Sequence, residues 1–340
     1  MPDKLFENIE SRCRDILSKR ISRSSLIDKL VSDLYRGALN GKELSKGNLE
    51  SQLKWFENRL KTQLIWIDKD DYTKALVRGL WLAPTFAATD YGGSRQRDFA
   101  QVWTDTARGF MGEIALQKFF KKISNVEVGL DLMKGSIDKF LPSDIKVKDA
   151  DTNILREPKR LVSIKTTKFN GRWLDLPGAQ FDHSDIFILV KLGISRFHFS
   201  GYLKDSGFLK DNLLKKAKNL HELDQESIEK LLKDTPSFSE IPAYITGFLE
   251  KKGLNLPIHE FNCRKRGRTN IRITIDQGIG LFSRSILREN SKILAIDPSC
   301  KLPFEIEPII SALTDSKHFL ANSGALSFGE DKWKKLAESL

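Results

Sequence analysis

Eight residues near the middle of the chain, Leu161-Val162-Ser163-Ile164-Lys165-Thr166-Thr167-Lys168, restrict the fold more than any other stretch. They alternate. Leu161, Ser163, Lys165 and Thr167 fall on one side of an extended strand, with Val162, Ile164 and Thr166 on the other. Such a strand belongs in a sheet with a covered face, and it carries a lysine into that sheet. A half-buried lysine without an anion costs on the order of several kcal/mol, so an acid is expected beside it. Asp144 lies upstream in a shorter alternating run, Pro142-Ser143-Asp144-Ile145-Lys146-Val147, and Glu113 lies earlier still in an apolar-periodic helix.

The remaining elements read outward from this strand. Residues 1–83 are expected to be helical, with Leu5, Ile9, Ile16 and Leu17, then Leu26, Leu30, Val31 and Leu34, then Leu49, Leu53, Phe56, Leu60 and Leu64 as inward stripes. Glycines between Gly37 and Gly47 separate the last two. Pro84–Arg97 reads as a loop, and a helix is expected from about Val102 to Lys121, with Phe110, Ile114 and Phe119 on its apolar side. Strands are expected over 126–132, around Asp144, over 161–168, 185–191 and 197–203, with a link over 170–183 that holds no clear helix. Beyond these, 208–233 has helical spacing, 258–275 reads as a hairpin turning near Gly267, and 305–340 reads as mostly helical. The expectation is an α/β fold with a mixed sheet: a helical region over 1–83, a core over 84–205 and a C-terminal region over 206–340.

Composition narrows the function classes. The longest central apolar run, Ile186–Val190, is too short to span a bilayer, and the N-terminus has no apolar h-region. A cytoplasmic protein with no membrane partner is expected. Cys13, Cys263 and Cys300 stand far apart with no C-x-x-C, which disfavours a structural zinc site. No G-x-x-x-x-G-K-[ST] is present, which disfavours an ATP-driven motor. The net charge of +11, from 56 basic and 45 acidic residues, fits a polyanionic partner or a solvated basic surface.

Phosphodiester hydrolysis needs an activated water, a cation at the phosphate and a stabilised leaving oxygen. Carboxylates at the ends of adjacent strands can hold a divalent metal for this. Asp144 and Glu113 are the proposed ligands, the Ile164 carbonyl completes the shell, and Lys165 is the cation beside the water. In Pro142-Ser143-Asp144, Ser163-Ile164-Lys165 and the helical Glu113, over about residues 105–203, the chain resembles the PD-(D/E)xK nuclease superfamily. It looks most like a type II restriction endonuclease. The resemblance implies a restriction-endonuclease-like core and Mg²⁺, with Mn²⁺ able to substitute. It implies metal binding at Asp144 and Ser163, water assistance from Lys165, and a water-mediated metal contact from Glu113. The chain departs from the pattern at Ser163, which stands where an acid is usual, at Ser143 between the Pro and the Asp, and in the link after Lys165. The missing charge falls on Glu113, Asp175 or Asp182.

Two basic stretches suit DNA. Arg95-Gln96-Arg97 follows two glycines and carries side chains that read guanine and adenine edges. Arg264-Lys265-Arg266-Gly267-Arg268, with Arg272, would form a ribbon tip for groove or phosphate contact. Plain surface loops are the competing reading of both. The expected partner is double-stranded DNA, cut by a homodimer on a palindrome, with the N-terminal helices as the favoured dimer surface. A structure-specific repair nuclease and a catalytically silent DNA-binding protein on the same fold remain as alternatives.

Overall fold

In the computed structural model of the chain, residues 2–87, 98–124, 126–130, 143–149, 152–252, 254, 261–275, 279–307 and 318–340 are described. The chain opens with helices α1 (Pro2–Ser18), α2 (Ser24–Asn40) and α3 (Leu49–Trp55), a π-helical turn (Phe56–Leu60) and the single turn α4 (Lys61–Gln63). Asn48 caps α3 by accepting the Ser51 N–H at 2.9 Å. The predicted stripes pack together: Ile9, Leu17, Leu30, Leu34 and Leu60 close one cluster over Phe169 and Tyr244. Leu64 does not continue the third helix. It opens strand β1 (Leu64–Ile67), where Ile65, Trp66 and Ile67 form a run of strand-favouring residues. Helix α5 (Lys69–Ala87) includes Pro84, so residues 84–87 are helical where a loop is expected. Helix α6 (Phe99–Ile123) starts at Asp98, whose side chain accepts the Gln101 N–H at 2.8 Å.

Strands β2 (Val128–Leu130), β3 (Ile145–Lys148) and β4 (Leu155–Arg156) pair antiparallel. Then come β5 (Val162–Lys168), β6 (Trp173–Pro177), α7 (Gly178–His183) and β7 (Ile186–Leu192). The link over 170–183 therefore holds both a strand and a short helix. Residues 198–205 form helix α8 (His198–Asp205), not a strand. Its aromatic content resembles a strand, but Phe199 and Tyr202 meet Trp103 and Tyr72 edge-on from one helical face. A second π-helical turn (Leu209–Leu214), α9 (Lys215–Asn219) and α10 (Gln225–Asp234) lead to β8 (Ile241–Glu250). This long strand is buried at every residue but Glu250. Pro242 and Gly247 interrupt its apolar pattern in the sequence. The glycine is needed, because a Cβ there would lie 2.7 Å from the Ser327 carbonyl oxygen.

The central sheet runs β1-β8-β7-β5, with β5 and β7 parallel and the other pairs antiparallel. The C-terminal part supplies β9 (Asn262–Arg266), β10 (Asn270–Thr274), β11 (Ile279–Phe282), α11 (Arg284–Arg288), α12 (Ser291–Leu294), β12 (Phe304–Glu307), β13 (His318–Asn322) and α13 (Glu330–Glu338). The hairpin forms as predicted, with Gly267 at φ +61° in its turn. The stretch after 304 is not mostly helical: β12 joins β10, and β13 lies between β11 and β6. Taken together, the described residues form a mixed α/β fold of several sheets and helices. No described helix is long and apolar enough to cross a membrane.

Each face of the central sheet has its own core. Ile114 and Phe119 of α6 pack with Val162, Ile164, Ile188 and Val190 on one side. Leu174, Leu176, Phe181 and Phe319 cover Phe187 and Leu189 on the other. Each such side chain contributes roughly 1.5–3 kcal/mol by burial. A charged network sits between the N-terminal helices and the sheet. Lys191 of β7 donates to Glu43 Oε1 at 2.6 Å and to Ser323 Oγ at 3.1 Å. Tyr244 and Trp55 donate to Glu43 Oε2 at 2.7 Å and 3.0 Å, and Arg59 donates to the Thr246 carbonyl at 2.9 Å. Burial alone would raise the Glu43 carboxyl, but the Lys191 and Arg59 charges outweigh it and bring its pKa down to about 2.

Candidate active site

The site begins where two strands part. The Val162 N–H donates to Ser143 Oγ at 3.2 Å, and the Asp144 N–H donates to the Val162 carbonyl at 2.9 Å. One step on, the Ile164 N–H donates at 2.5 Å to the Asp144 side chain, Oδ2, in place of a strand carbonyl. From there β3 leaves to pair with β2 and β4, and among the described residues β5 keeps only β7. The side chain of Asp144 thus fills a rung of the ladder at the fork. The N–H and C=O of one strand residue face the same edge, so the Ile164 carbonyl opens toward Asp144 as well.

Lys165 follows directly. It is half-buried, emerges on the face of β5 away from α6, and donates to Gln180 Oε1 of α7. Burial lowers its ammonium pKa, and the Asp144 and Asp175 charges work against that shift. Asp175 lies on β6 opposite Leu320 of β13. Asp182 is exposed on α7, where its backbone carbonyl accepts Lys251 Nζ at 2.8 Å. Ser163 is buried beside Lys165 on the same face and brings a hydroxyl without charge.

Helix α6, which carries Glu113, packs on the other side of β5. Gly112 beside Glu113 lets α6 press onto the strand, since a Cβ there would collide with the Thr166 methyl. Thr166 and Ile164 face α6, and the Glu113 charge acts on Arg78 of α5. Asp144, Lys165 and Asp175 therefore share one electrostatic neighbourhood. Among the described residues, no group of three His, Cys, Asp or Glu side chains is placed to hold a metal. Mg²⁺ is commonly held by one or two carboxylates, with waters and phosphate oxygens filling the octahedron. Asp144, Asp175 and the Ile164 carbonyl offer hard oxygen donors of that kind.

Of the expected DNA contacts, Arg95, Gln96 and Arg97 lie outside the described residues. On the hairpin, Arg264 stands opposite Arg272 and Arg266 opposite Asn270, so these arginines share the outer face. Lys265 stands opposite the buried Ile271 and takes the other face, which splits the basic run. Arg266 pairs with Glu305 at 2.7 Å. Arg268 is exposed in the turn.

Sequence reasoning missed Gln180 and the Lys191–Glu43–Arg59 network. Lys191 did carry a signal: a lone charge inside the apolar run Ile186–Leu192 demands a buried counter-charge. Compared with known proteins, the chain matches no family model, no curated protein and no solved structure.

Proposed function

We propose that this chain is a divalent-metal-dependent endonuclease of the PD-(D/E)xK kind, acting on duplex DNA and most simply as a site-specific type II restriction enzyme. The observation that carries the reading is the fork at Asp144. An aspartate just ahead of β3 accepts the N–H of the residue before a half-buried lysine, and a second acid, Asp175, acts on that same lysine. The order α6, β2, β3, β4, β5, β6, α7, β7, with β5 and β7 parallel and joined through β6 and the short α7, is compatible with the same reading.

Asp144, Asp175 and the Ile164 carbonyl would hold the ion. Bound Mg²⁺, or Mn²⁺ in its place, supplies Lewis-acid polarisation of the phosphate. Lys165 orients the attacking water and offsets phosphate charge, and Gln180 fixes the direction of its ammonium. A two-fold dimer on a palindrome would place one such site on each strand. The second reading is a silent DNA-binding protein, favoured by the lack of a three-carboxylate group among the described residues.

The test is digestion of a long duplex with Mg²⁺, then end sequencing. Discrete fragments with a shared end sequence support restriction, and smears or junction cleavage favour a repair nuclease. Binding without any divalent-dependent nicking of plasmid leaves the silent reading.

A further inference from the structure

The carboxyl ends of β5 and β7 carry a second cluster of cations. Lys168 is the last residue of β5 and stands opposite Leu192 of β7. The chain then turns through Gly193, which abuts the Phe169 ring, into Arg196, Phe197 and His198. The Arg196 guanidinium lies 4.6 Å from the Phe197 ring centre, and Arg23 of the N-terminal region lies 5.5 Å from the same ring. Arg108 of α6 and Lys168 both act electrostatically on His198, which binds these pieces into one neighbourhood. Arg20 continues the row over the Trp66 ring at 5.7 Å.

Glu240 is engaged by Arg20 at 2.9 Å and Asp105 by Arg108 at 2.5 Å, and at the Arg20 end of the row Asp68, Asp70 and Asp205 line a cavity with Arg20. Arg23, Lys168 and Arg196 are exposed and meet no carboxylate among the described residues. Lys168 is three residues from Lys165, about 10 Å along the strand and on the opposite face by alternation. Past Ile164, β5 is the open edge of the central sheet among the described residues.

We propose that Arg23, Lys168 and Arg196, spaced by the Phe197 ring, form a phosphate-tracking surface that holds a nucleic-acid duplex along the open edge of β5. Guanidiniums held over an aromatic ring can turn N–H groups outward to phosphate, and a row of them binds backbone without reading sequence. The surface rests on the nuclease reading for its place on the strand that carries Lys165, but it concerns binding alone.

The test uses the full chain in EDTA and a fluorescent duplex, with affinity measured across salt concentrations. The variant is Arg23→Gln, Lys168→Gln and Arg196→Gln together. A control removes equal charge elsewhere through Lys46→Gln, Lys216→Gln and Lys332→Gln. The log–log salt slope should fall by about 0.9 per lost contact, hence by about 2 to 3 for the first variant, with little change in the control. An unchanged slope, or an equal loss in the control, overturns the surface. So does a variant that loses binding to anionic phospholipid vesicles and keeps the duplex. A wild type that cuts DNA while the variant keeps full affinity removes this surface and leaves the nuclease standing. Strip-dependent binding without Mg²⁺-dependent cleavage supports the surface and removes the nuclease.

Discussion

Lys165 and Lys191 stand on adjacent parallel strands and on the same face of one sheet. Lys165 is opposite Leu189 and Lys191 opposite Thr167, about 8 Å apart by strand geometry. Burial lowers the ammonium pKa of both. Their surroundings differ in kind. Lys191 is fully buried and bound by a carboxylate, a hydroxyl and, at 3.5 Å, the Gly37 carbonyl. Its three donors are spent inside the fold. Lys165 is half-buried, its hydrogen bond goes to the neutral amide of Gln180, and the Asp144 and Asp175 carboxylates act on it electrostatically. Among the described residues, Lys191 is bound on every side inside the fold, while Lys165 donates one hydrogen bond, to Gln180. A buried charge alone is therefore a poor marker of a site; incomplete coordination is the better one.

The sharpest way to break this contrast is to remove each cation. Lys165→Met should lower Mg²⁺-dependent cleavage by about a thousandfold or more, about 4 kcal/mol in barrier, and leave the urea midpoint unchanged or higher. Asp144→Asn should lose as much activity. Plasmid nicking at near wild-type rate in either variant ends the site assignment.

Lys191→Met should do the reverse. It strands the Glu43 carboxylate with Arg59, whose Nε is 3.9 Å away, and should cost about 3–5 kcal/mol of stability. Cleavage per folded molecule should stay close to wild type. The double variant Lys191→Met/Glu43→Leu should lose less, because it removes both charges. A urea midpoint for Lys191→Met equal to wild type would show that the network is not holding the N-terminal helices to the sheet.

The two lysines also predict different responses to pH. The folded pKa of Glu43, about 2, lies below its ordinary value of 4.5. Its stabilisation is therefore complete above about pH 4.5 and is lost as pH falls toward 2, on the order of 3 kcal/mol in all. Glu43→Gln should flatten urea-measured stability against pH in that acid window. Lys165→Met should leave the acid slope in place. If Glu43→Gln follows the wild-type curve, other carboxylates dominate the acid limb.

The same contrast explains what was legible in the sequence. Alternation over 161–168 located β5, and the charge it buries called for an acid, which Asp144 supplies at the fork. Local periodicity also found α6, β7 and the hairpin. It failed where tertiary context sets the outcome. β8 hides behind Pro242 and Gly247, and its identity as a strand rests on neighbours far away in the chain. Phe197–Leu203 has strand-like residues that a helix uses on one face. Leu64 fits a helical stripe and lies in β1. Lys191 could be seen as an anomaly, but its partners Glu43 and Ser323 are 148 and 132 residues away, beyond any local pattern.

On the nuclease reading, the smallest expected effect decides which carboxylate supplies the charge that Ser163 lacks. Glu113 is the leading candidate by helix placement, and on the nuclease reading we weigh Asp175 above it. The Asp175 charge acts on Lys165, whereas the Glu113 charge acts on Arg78 across the strand. A hard dication prefers charged oxygen, so removing the second charge should weaken its hold without abolishing it, since Asp144 remains. Asp175→Asn should raise the Mg²⁺ concentration for half-maximal cleavage by about tenfold, about 1.4 kcal/mol. Glu113→Gln, Asp182→Asn and Ser163→Ala should each shift it by less. Cleavage rate against Mg²⁺ concentration, run on the four variants together, reads this directly. If Glu113→Gln collapses while Asp175→Asn tracks wild type, then the ion sits on the α6 side of β5, and Lys165 meets its substrate from the opposite face to the one its bond to Gln180 indicates.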